Sequence, residues 1–144
     1  MTSGINKVQD VLENYKWAVY EKDAEKFLST YADDVHIYDC WGNWEFKGIS
    51  LWRDNVIEWF NGLSDDGYLL KVDFNDLTIE ENNNLAFVHC AVTFDGYKEK
   101  TGEKRRQMTN RFTFGLKKVN GSWLISHEHS SLPIDMHTGK GMYT

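Results

Sequence analysis

Helical and strand patterns occupy separate parts of this chain, and that separation restricts the fold more than any other feature. Apolar residues recur at steps of three and four before residue 64, whereas alternating segments follow one another from residue 68. The patterns predict helices over 5–21, 24–31 and 51–61, and long strands over 68–81, 85–97, 104–119 and 122–131. Helices followed by antiparallel strands predict the α+β class, with the helices packed on one face of a curved sheet.

The 144 residues are enough for one domain, predicted to span 1–134 and to be followed by a loosely held tail, 135–144. The formal net charge of -6 disfavours binding to nucleic acid or to a membrane surface. No apolar stretch has the length of a signal peptide or a membrane span, so a cytoplasmic location is expected. Cys40 and Cys90 are expected to be buried thiols and not a disulfide framework.

The segment 31–42, YADDVHIYDCWG, is predicted to end a helix, turn, and begin a short strand. Within it Val35, Ile37 and Asp39 alternate with more polar neighbours, so Asp39 shares their face. If that face is buried, the pKa of Asp39 should rise and the carboxylate is suited to moving protons. If Asp39 instead caps the end of the strand, it lies in water and has no such role.

The aromatic content is larger than a core of this size needs. Aromatic residues make up 15% of the chain, with six Trp, seven Tyr and eight Phe, which favours an apolar cavity or a subunit interface as well as a core. Trp41 and Trp44 follow Asp39 closely. Trp52 and Phe60 lie on the apolar stripe of the third helix, where they either belong to the core or form the roof of a ligand pocket.

Two neighbouring residues of the third long strand are predicted to face opposite sides of the sheet. Asn110 shares a face with Phe112 and Phe114, so it is either a satisfied strand residue or a neutral hydrogen-bonding group of a buried site. Arg111 lies on the other face, where a subunit interface would favour it. If the two faces are exchanged, Arg111 points into the cavity and favours an anionic ligand.

Histidines occur on two of the predicted strands. His127 and His129 are two residues apart, so both are predicted to share a face with Trp123 and Ile125, and His89 lies on another strand. Together with the carboxylate of the first strand they could gather a metal ion, but no motif brings them together and no metal site is predicted. The preferred interpretation places one histidine in the pocket and another in the core or at an interface.

Two segments resemble a known superfamily. YADDVHIYDCWG, between a helix that carries Tyr15 and the Trp-containing helix 51–61, resembles the NTF2-like superfamily, which includes ketosteroid isomerase and the SnoaL-like polyketide cyclases. NRFTFGLKKVNGSWLISHEHSSLP resembles the SnoaL-like branch, and also the association domain of calcium/calmodulin-dependent kinase. The resemblance implies a cone, in which a strongly curved, mostly antiparallel sheet is wrapped by about three N-terminal helices around an internal cavity. It also implies a homodimer formed through the outer sheet face.

The resemblance also implies three catalytic positions. Asp39 matches the general base of ketosteroid isomerase, and Tyr15 matches its oxyanion-hole tyrosine. The third group of that enzyme is a protonated aspartic acid, and the matching position here is Asn110. A neutral amide donates the same hydrogen bond but is less acidic, so weaker oxyanion stabilisation is expected. The bulk of Trp41 and Trp44 would also shorten a steroid-sized cavity.

Three hypotheses follow from the resemblance. The first is an isomerase or cyclase in which Asp39 takes a proton from a small, mostly apolar carbonyl compound, with no cofactor because the carbonyl is the electron sink. The second is a non-catalytic ligand-binding or dimerisation module, and the third is an assembly domain similar to that of the kinase. The side chains expected to contact a ligand are Trp41, Trp44, Trp52, Phe60, His89, Arg111, His127 and His129.

Overall fold

Three helices pack on one face of a six-stranded sheet in the computed structural model, which describes residues 5–143. The sheet is curved and does not close on itself, so the predicted α+β fold is confirmed. The elements in chain order are α1 Val8–Glu21, α2 Ala24–Leu28, β1 Tyr31–Tyr38, β2 Phe46–Lys47, α3 Ile49–Asp66, β3 Tyr68–Glu81, β4 Leu85–Lys98, β5 Lys104–Val119 and β6 Ser122–Ser131.

The predicted helices are present, although their ends differ from the prediction. Asp23 caps α2, because its side chain accepts a hydrogen bond from the backbone N–H of Lys26 at 3.0 Å. That helix is shorter than predicted, since Tyr31 already belongs to β1. Helix α3 is longer: it starts after Gly48, continues through Gly62, and ends where Gly67 takes a left-handed conformation with φ 71°.

The strands pair in the order β2-β1-β6-β5-β4-β3. Strands β3 to β6 form antiparallel neighbours, as predicted, while β1 runs parallel to β6 with Ile37 opposite Glu128. The parallel pair joins the first strand of the chain to the last one. Asp39 therefore lies beside the C-terminal half of β6.

A bulge changes the face that β6 presents to the core. Leu116 on β5 pairs with Ile125, and the adjacent Gly115 pairs with His127, so Ser126 is an extra residue. Before the bulge Ile125 points inward, whereas after it Glu128 is the buried residue. The prediction that His127 and His129 share a face with Trp123 and Ile125 is therefore wrong.

The core fills the space between the helices and the inner face of the sheet. Its largest fully buried side chains include Phe27 of α2, Phe114 of β5 and Trp123 of β6. Both cysteines are free, with Cys90 buried and Cys40 half-buried. No helix within residues 5–143 combines the length and the apolar character that a membrane span requires.

Candidate functional site

Asp39 follows the last residue of β1 and points toward the interior. Its Oδ1 accepts a hydrogen bond from Ser130 Oγ at 3.1 Å, and Ser130 Oγ accepts one from the backbone N–H of Cys40 at 3.0 Å. Burial raises the pKa of Asp39, and the hydrogen bond from Ser130 opposes that rise. The carboxylate is thus half-buried and partly desolvated, which agrees with the face predicted from the alternation of Val35 and Ile37.

Tyr15 lies at the centre of the aromatic core. It is 4% exposed, and its ring lies 4.8 Å from that of Phe27 and 6.1 Å from that of Phe114, between centroids. Within residues 5–143 its hydroxyl makes no hydrogen bond, and burial raises its pKa well above the usual range. The negative charges of Glu128 and Asp39 add to that rise.

Asn110 faces the interior from β5 and is 3% exposed. Its Nδ2 donates to Cys40 Sγ at 3.1 Å, whereas its Oδ1 is buried and has no hydrogen-bond partner within residues 5–143. If the two ends of the amide are exchanged, the Cys40 thiol donates to the carbonyl and the NH₂ group becomes the unpaired end. In either orientation one polar end of Asn110 has no hydrogen-bond partner within residues 5–143.

Glu128 is the buried carboxyl that the sequence prediction missed. It is 2% exposed, and its Oε1 accepts a hydrogen bond from the hydroxyl of Tyr31. Burial raises the pKa of Glu128 to about 8, while the hydrogen bond from Tyr31 lowers it and the charge of Asp39 raises it. No glycine or proline marks the bulge at Ser126, so alternation counted from Trp123 assigns Glu128 to the wrong face.

The predicted aromatic ligand contacts divide into buried and exposed residues. Trp52 and Phe60 belong to the core, at 4% and 3% exposure. Trp41 is half-exposed and stacks on Tyr143 with ring centroids 5.8 Å apart. Trp44 is 89% exposed on the loop between β1 and β2, so it does not line the interior as predicted.

The outer sheet face carries the remaining predicted side chains. His89 lies opposite Thr113, which lies opposite His129, and the rings of His129 and Tyr38 are 5.3 Å apart. The ring of His127 lies 5.0 Å from that of Tyr38. His127 and His129 do not reach the interior, because the bulge changes which side chains of β6 face inward. His89 does not reach it either, because it alternates with buried residues of β4.

Arg111 also points outward. This position suits a subunit interface, whereas binding of an anionic ligand in the cavity would require Arg111 to point inward. Within residues 5–143, no three His, Cys, Asp or Glu side chains are grouped closely enough to hold a metal ion.

A cleft of about 410 Å³ lies next to residues that are linked to Asp39. Its inner wall includes Cys40 and Ser130, the two residues linked to Asp39. Its outer wall is the C-terminal segment, in which the backbone N–H of Met142 donates to the carbonyl of Pro133 at 2.8 Å and Tyr143 covers Trp41. The predicted domain end at residue 134 stays a prediction, but this segment closes one side of the cleft.

Comparisons with known proteins agree on one domain type. The family described as SnoaL-like domain matches residues 8–135. An NTF2-like protein of unknown function from Pseudomonas putida is 24% identical, with a TM-score of 0.80 and coverage of 94% of this chain and 91% of that one. A putative calcium/calmodulin dependent protein kinase II association domain from Xanthomonas campestris is 21% identical, with a TM-score of 0.72 and coverage of 86% and 84%.

A third similar structure is Aln2 from a Streptomyces species, at 14% identity, a TM-score of 0.76 and 86% coverage of both chains. No curated protein matches the sequence. At these identities the structural similarity establishes the fold and not the chemistry.

Proposed function

We propose a function from the premise that this chain belongs to the SnoaL-like domain family: it is an acid–base enzyme that removes a proton from a carbon next to a carbonyl group. The observation that carries the proposal is the half-buried carboxylate of Asp39, which accepts a hydrogen bond from Ser130 in the wall of the cleft. Its pKa is raised by burial, so it is a stronger base than an exposed aspartate. The alternative interpretation, in which Asp39 caps the end of the strand and lies in water, does not agree with this burial.

In this proposal Asp39 takes the proton, and negative charge develops on the carbonyl oxygen. The groups available to stabilise that oxygen are the hydroxyl of Tyr15, which makes no hydrogen bond within residues 5–143, and the unpaired end of the Asn110 amide. Return of the proton to a different carbon completes an isomerisation. Attack of the enolate carbon on a second carbonyl of the same molecule would complete a cyclisation.

The proposed substrate is a small, mostly apolar carbonyl compound. The cleft volume of about 410 Å³ lies within the range of small-molecule sites. Leu132, Ile134 and the rings of Trp41 and Tyr143 give its outer part an apolar wall. Because the carbonyl accepts the electron pair, the proton transfer requires no cofactor.

The test replaces the proposed base and leaves its surroundings unchanged. Asp39→Asn should slow the conversion of non-conjugated cyclohexenone to the conjugated isomer by about 100-fold or more, since a positioned base typically contributes that much. Asp33→Asn is the matched control, because Asp33 is an exposed carboxylate of β1, the strand that precedes Asp39. Turnover by Asp39→Asn at the rate of the wild type would contradict the proposal.

The second candidate is a non-catalytic ligand-binding module. The feature in its favour is the close packing around Tyr15, whose ring also lies 5.9 Å from that of Phe74 and 6.5 Å from that of Phe112. This packing encloses the ring, and Tyr15 is not among the residues that line the cleft. A carbonyl compound that raises the Tm of the wild type and of Asp39→Asn equally, without being converted, would support this candidate.

We also propose that the protein forms a homodimer through the outer sheet face. That face carries four of the five histidines together with exposed Phe87 and Arg111. Aromatic residues and arginine are enriched at protein interfaces. Light scattering would distinguish a dimer from the larger ring expected of an assembly domain.

A further inference from the structure

We propose that the Tyr31–Glu128 pair is the proton store of this site: Glu128 holds an acid proton behind the Tyr15 hydroxyl while Asp39 acts as the base. This inference rests on the proposed function and adds a positioning residue that acts through Tyr15. It also narrows the substrate to a carbonyl compound without a negative charge.

The position of Glu128 follows from strand pairing. Glu128 is opposite Ile37 on β1 and opposite Phe114 on β5, so its side chain enters the core between two apolar residues. At 2% exposure it has lost its hydration, and the Tyr31 hydroxyl is its hydrogen-bond partner within residues 5–143. A carboxylate with a single neutral donor in apolar surroundings is costly, so the group stays protonated.

Tyr15 and the Tyr31–Glu128 pair pack against the same aromatic side chains. Tyr15 contacts Phe114, the cross-strand neighbour of Glu128, and it also contacts Phe27. Phe27 in turn lies 5.3 Å from the ring of Tyr31, between centroids. The charge of Glu128 is the second cause, after burial, of the raised pKa of Tyr15.

The two carboxyls differ in environment, and that difference assigns their roles. Asp39 comes two residues after Ile37, the partner of Glu128, so the two side chains start about 7 Å apart along the parallel strands. Asp39 is half-buried and is hydrogen-bonded to Ser130 in the wall of the cleft, whereas Glu128 is fully enclosed by the core. When two neighbouring carboxyls have unequal environments, the better solvated one is the base and the enclosed one is the acid.

The proton transfers balance without a co-reactant. Asp39 takes the proton from carbon, the C–H electron pair forms a carbon–carbon double bond, and the carbonyl electron pair moves to oxygen. That oxygen takes a proton from Tyr15. Tyr15 takes one from Glu128 through a hydrogen bond that the proposal requires to form in the substrate complex. When Asp39 returns its proton to a different carbon, the proton on oxygen goes back through Tyr15 to Glu128.

The charges of the interior also restrict the ligand. The titratable groups that influence the pKa of Glu128 are Tyr31 and Asp39, and those that influence the pKa of Tyr15 are Glu128, Asp39, Cys90 and Cys40. None of these is a cation, and Arg111 points away on the outer face. An anionic substrate would meet two carboxyls without a compensating positive charge, so a neutral carbonyl compound fits.

The test is the pH profile of cyclohexenone isomerisation. In the wild type the rate should fall on the alkaline side with an apparent pKa of about 8, as Glu128 loses its proton. Glu128→Gln should be about tenfold slower at neutral pH and should lose this alkaline limb. Glu80→Gln, an exposed carboxyl on β3, is the matched control.

A second variant keeps the proposal open to refutation if Glu128→Gln does not fold. Tyr31→Phe removes the hydrogen bond that lowers the pKa of Glu128, so the alkaline limb should move to higher pH. A purely structural role of Tyr31 would lower the rate without moving the limb. Infrared difference spectra between wild type and Glu128→Gln should show a protonated carboxyl at mildly acidic pH.

The outcomes separate this inference from the proposed function. If Asp39→Asn abolishes isomerisation while Glu128→Gln and Tyr31→Phe keep the alkaline limb of the wild type, the proton store is refuted and the function stands. If Asp39→Asn and the wild type are equally active, the function is refuted and the proton store with it.

Discussion

At the residue scale, the interior combines polar groups that aromatic cores of this kind seldom contain. Glu128 and Asn110 are both almost fully buried, and each has fewer hydrogen bonds than its polar atoms can form. Buried polar groups with missing partners reduce stability. Their presence beside Asp39 is understandable if they serve the reaction rather than the fold.

The first prediction concerns the pH dependence of stability. The pKa of Glu128 is raised from 4.5 to about 8 on folding, so its stabilising effect is complete below pH 4.5 and is lost as the pH rises through about 8. Between pH 4.5 and neutrality this loss is about 3 kcal/mol in the free energy of unfolding. Glu128→Gln removes this loss, which urea denaturation at a series of pH values should reveal. If the free energy of unfolding depended on pH in the same way for Glu128→Gln and for the wild type, the prediction that Glu128 is buried and ionisable would be contradicted.

The second prediction concerns Asn110. Asn110→Leu replaces an amide with an unpaired buried end by an apolar side chain of similar size, and the lost contact to Cys40 is weak. The free energy of unfolding should therefore stay within about 1 kcal/mol of the wild type or rise, while isomerase activity falls. Denaturation and turnover of the same variant measure both effects. Strong destabilisation would instead assign Asn110 a structural role.

At the element scale, the bulge in β6 determines which side chains reach the interior. The extra residue Ser126 bonds through its hydroxyl to the carbonyl of Gly115 at 3.2 Å. Beyond it Glu128 and Ser130 face the core, and the histidines of the strand face outward. A single inserted residue thus supplies the acid of the site and the hydrogen-bond partner of Asp39.

The third prediction follows from this geometry. Deleting Ser126 should rotate the end of β6, burying His127 and His129 and exposing Glu128. We expect a loss of more than about 3 kcal/mol in the free energy of unfolding, because unpaired polar rings would enter the core. Deleting Asn83 in the turn between β3 and β4 is the control and should cost less. Equal stability of the two deletion variants would show that the bulge is dispensable.

At the scale of the whole molecule, the two faces of the sheet have different chemistry. The inner face is covered by helices, whereas the outer face presents His89, Phe87, Tyr38 and Arg111. Thr113 and Gly115 lie between these side chains on β5. Aromatic residues and arginine are enriched at protein interfaces, which supports the proposed pairing with a second copy.

The fourth prediction tests that pairing. Phe87→Asp should weaken the proposed dimer, because it places a carboxylate where an exposed aromatic ring would be buried. Leu51→Asp is the matched control, since Leu51 is an exposed apolar residue on α3, away from the outer face. Light scattering over a range of concentrations should show dissociation of the first variant alone. If Phe87→Asp had the same mass as the wild type, Phe87 would not belong to a dimer interface.

Much of the fold could be predicted from the sequence, because helix and strand periodicities are local. The bounds of β3, β5 and β6 agree with the alternation, and Asp23 caps α2 as predicted. The interior position of Asp39 could also be predicted, since no irregularity separates it from Ile37.

The tertiary structure alone decided the rest of the candidate site. Which face Glu128 and His127 take depends on the register of β6 against β5, and no local signal marks the extra residue there. The exposure of Trp44 and the stacking of Tyr143 on Trp41 also depend on contacts between segments that are far apart in the sequence. Periodicity specifies a side chain relative to its neighbours in sequence, whereas its place in the site depends on strand pairing, which involves residues far along the chain.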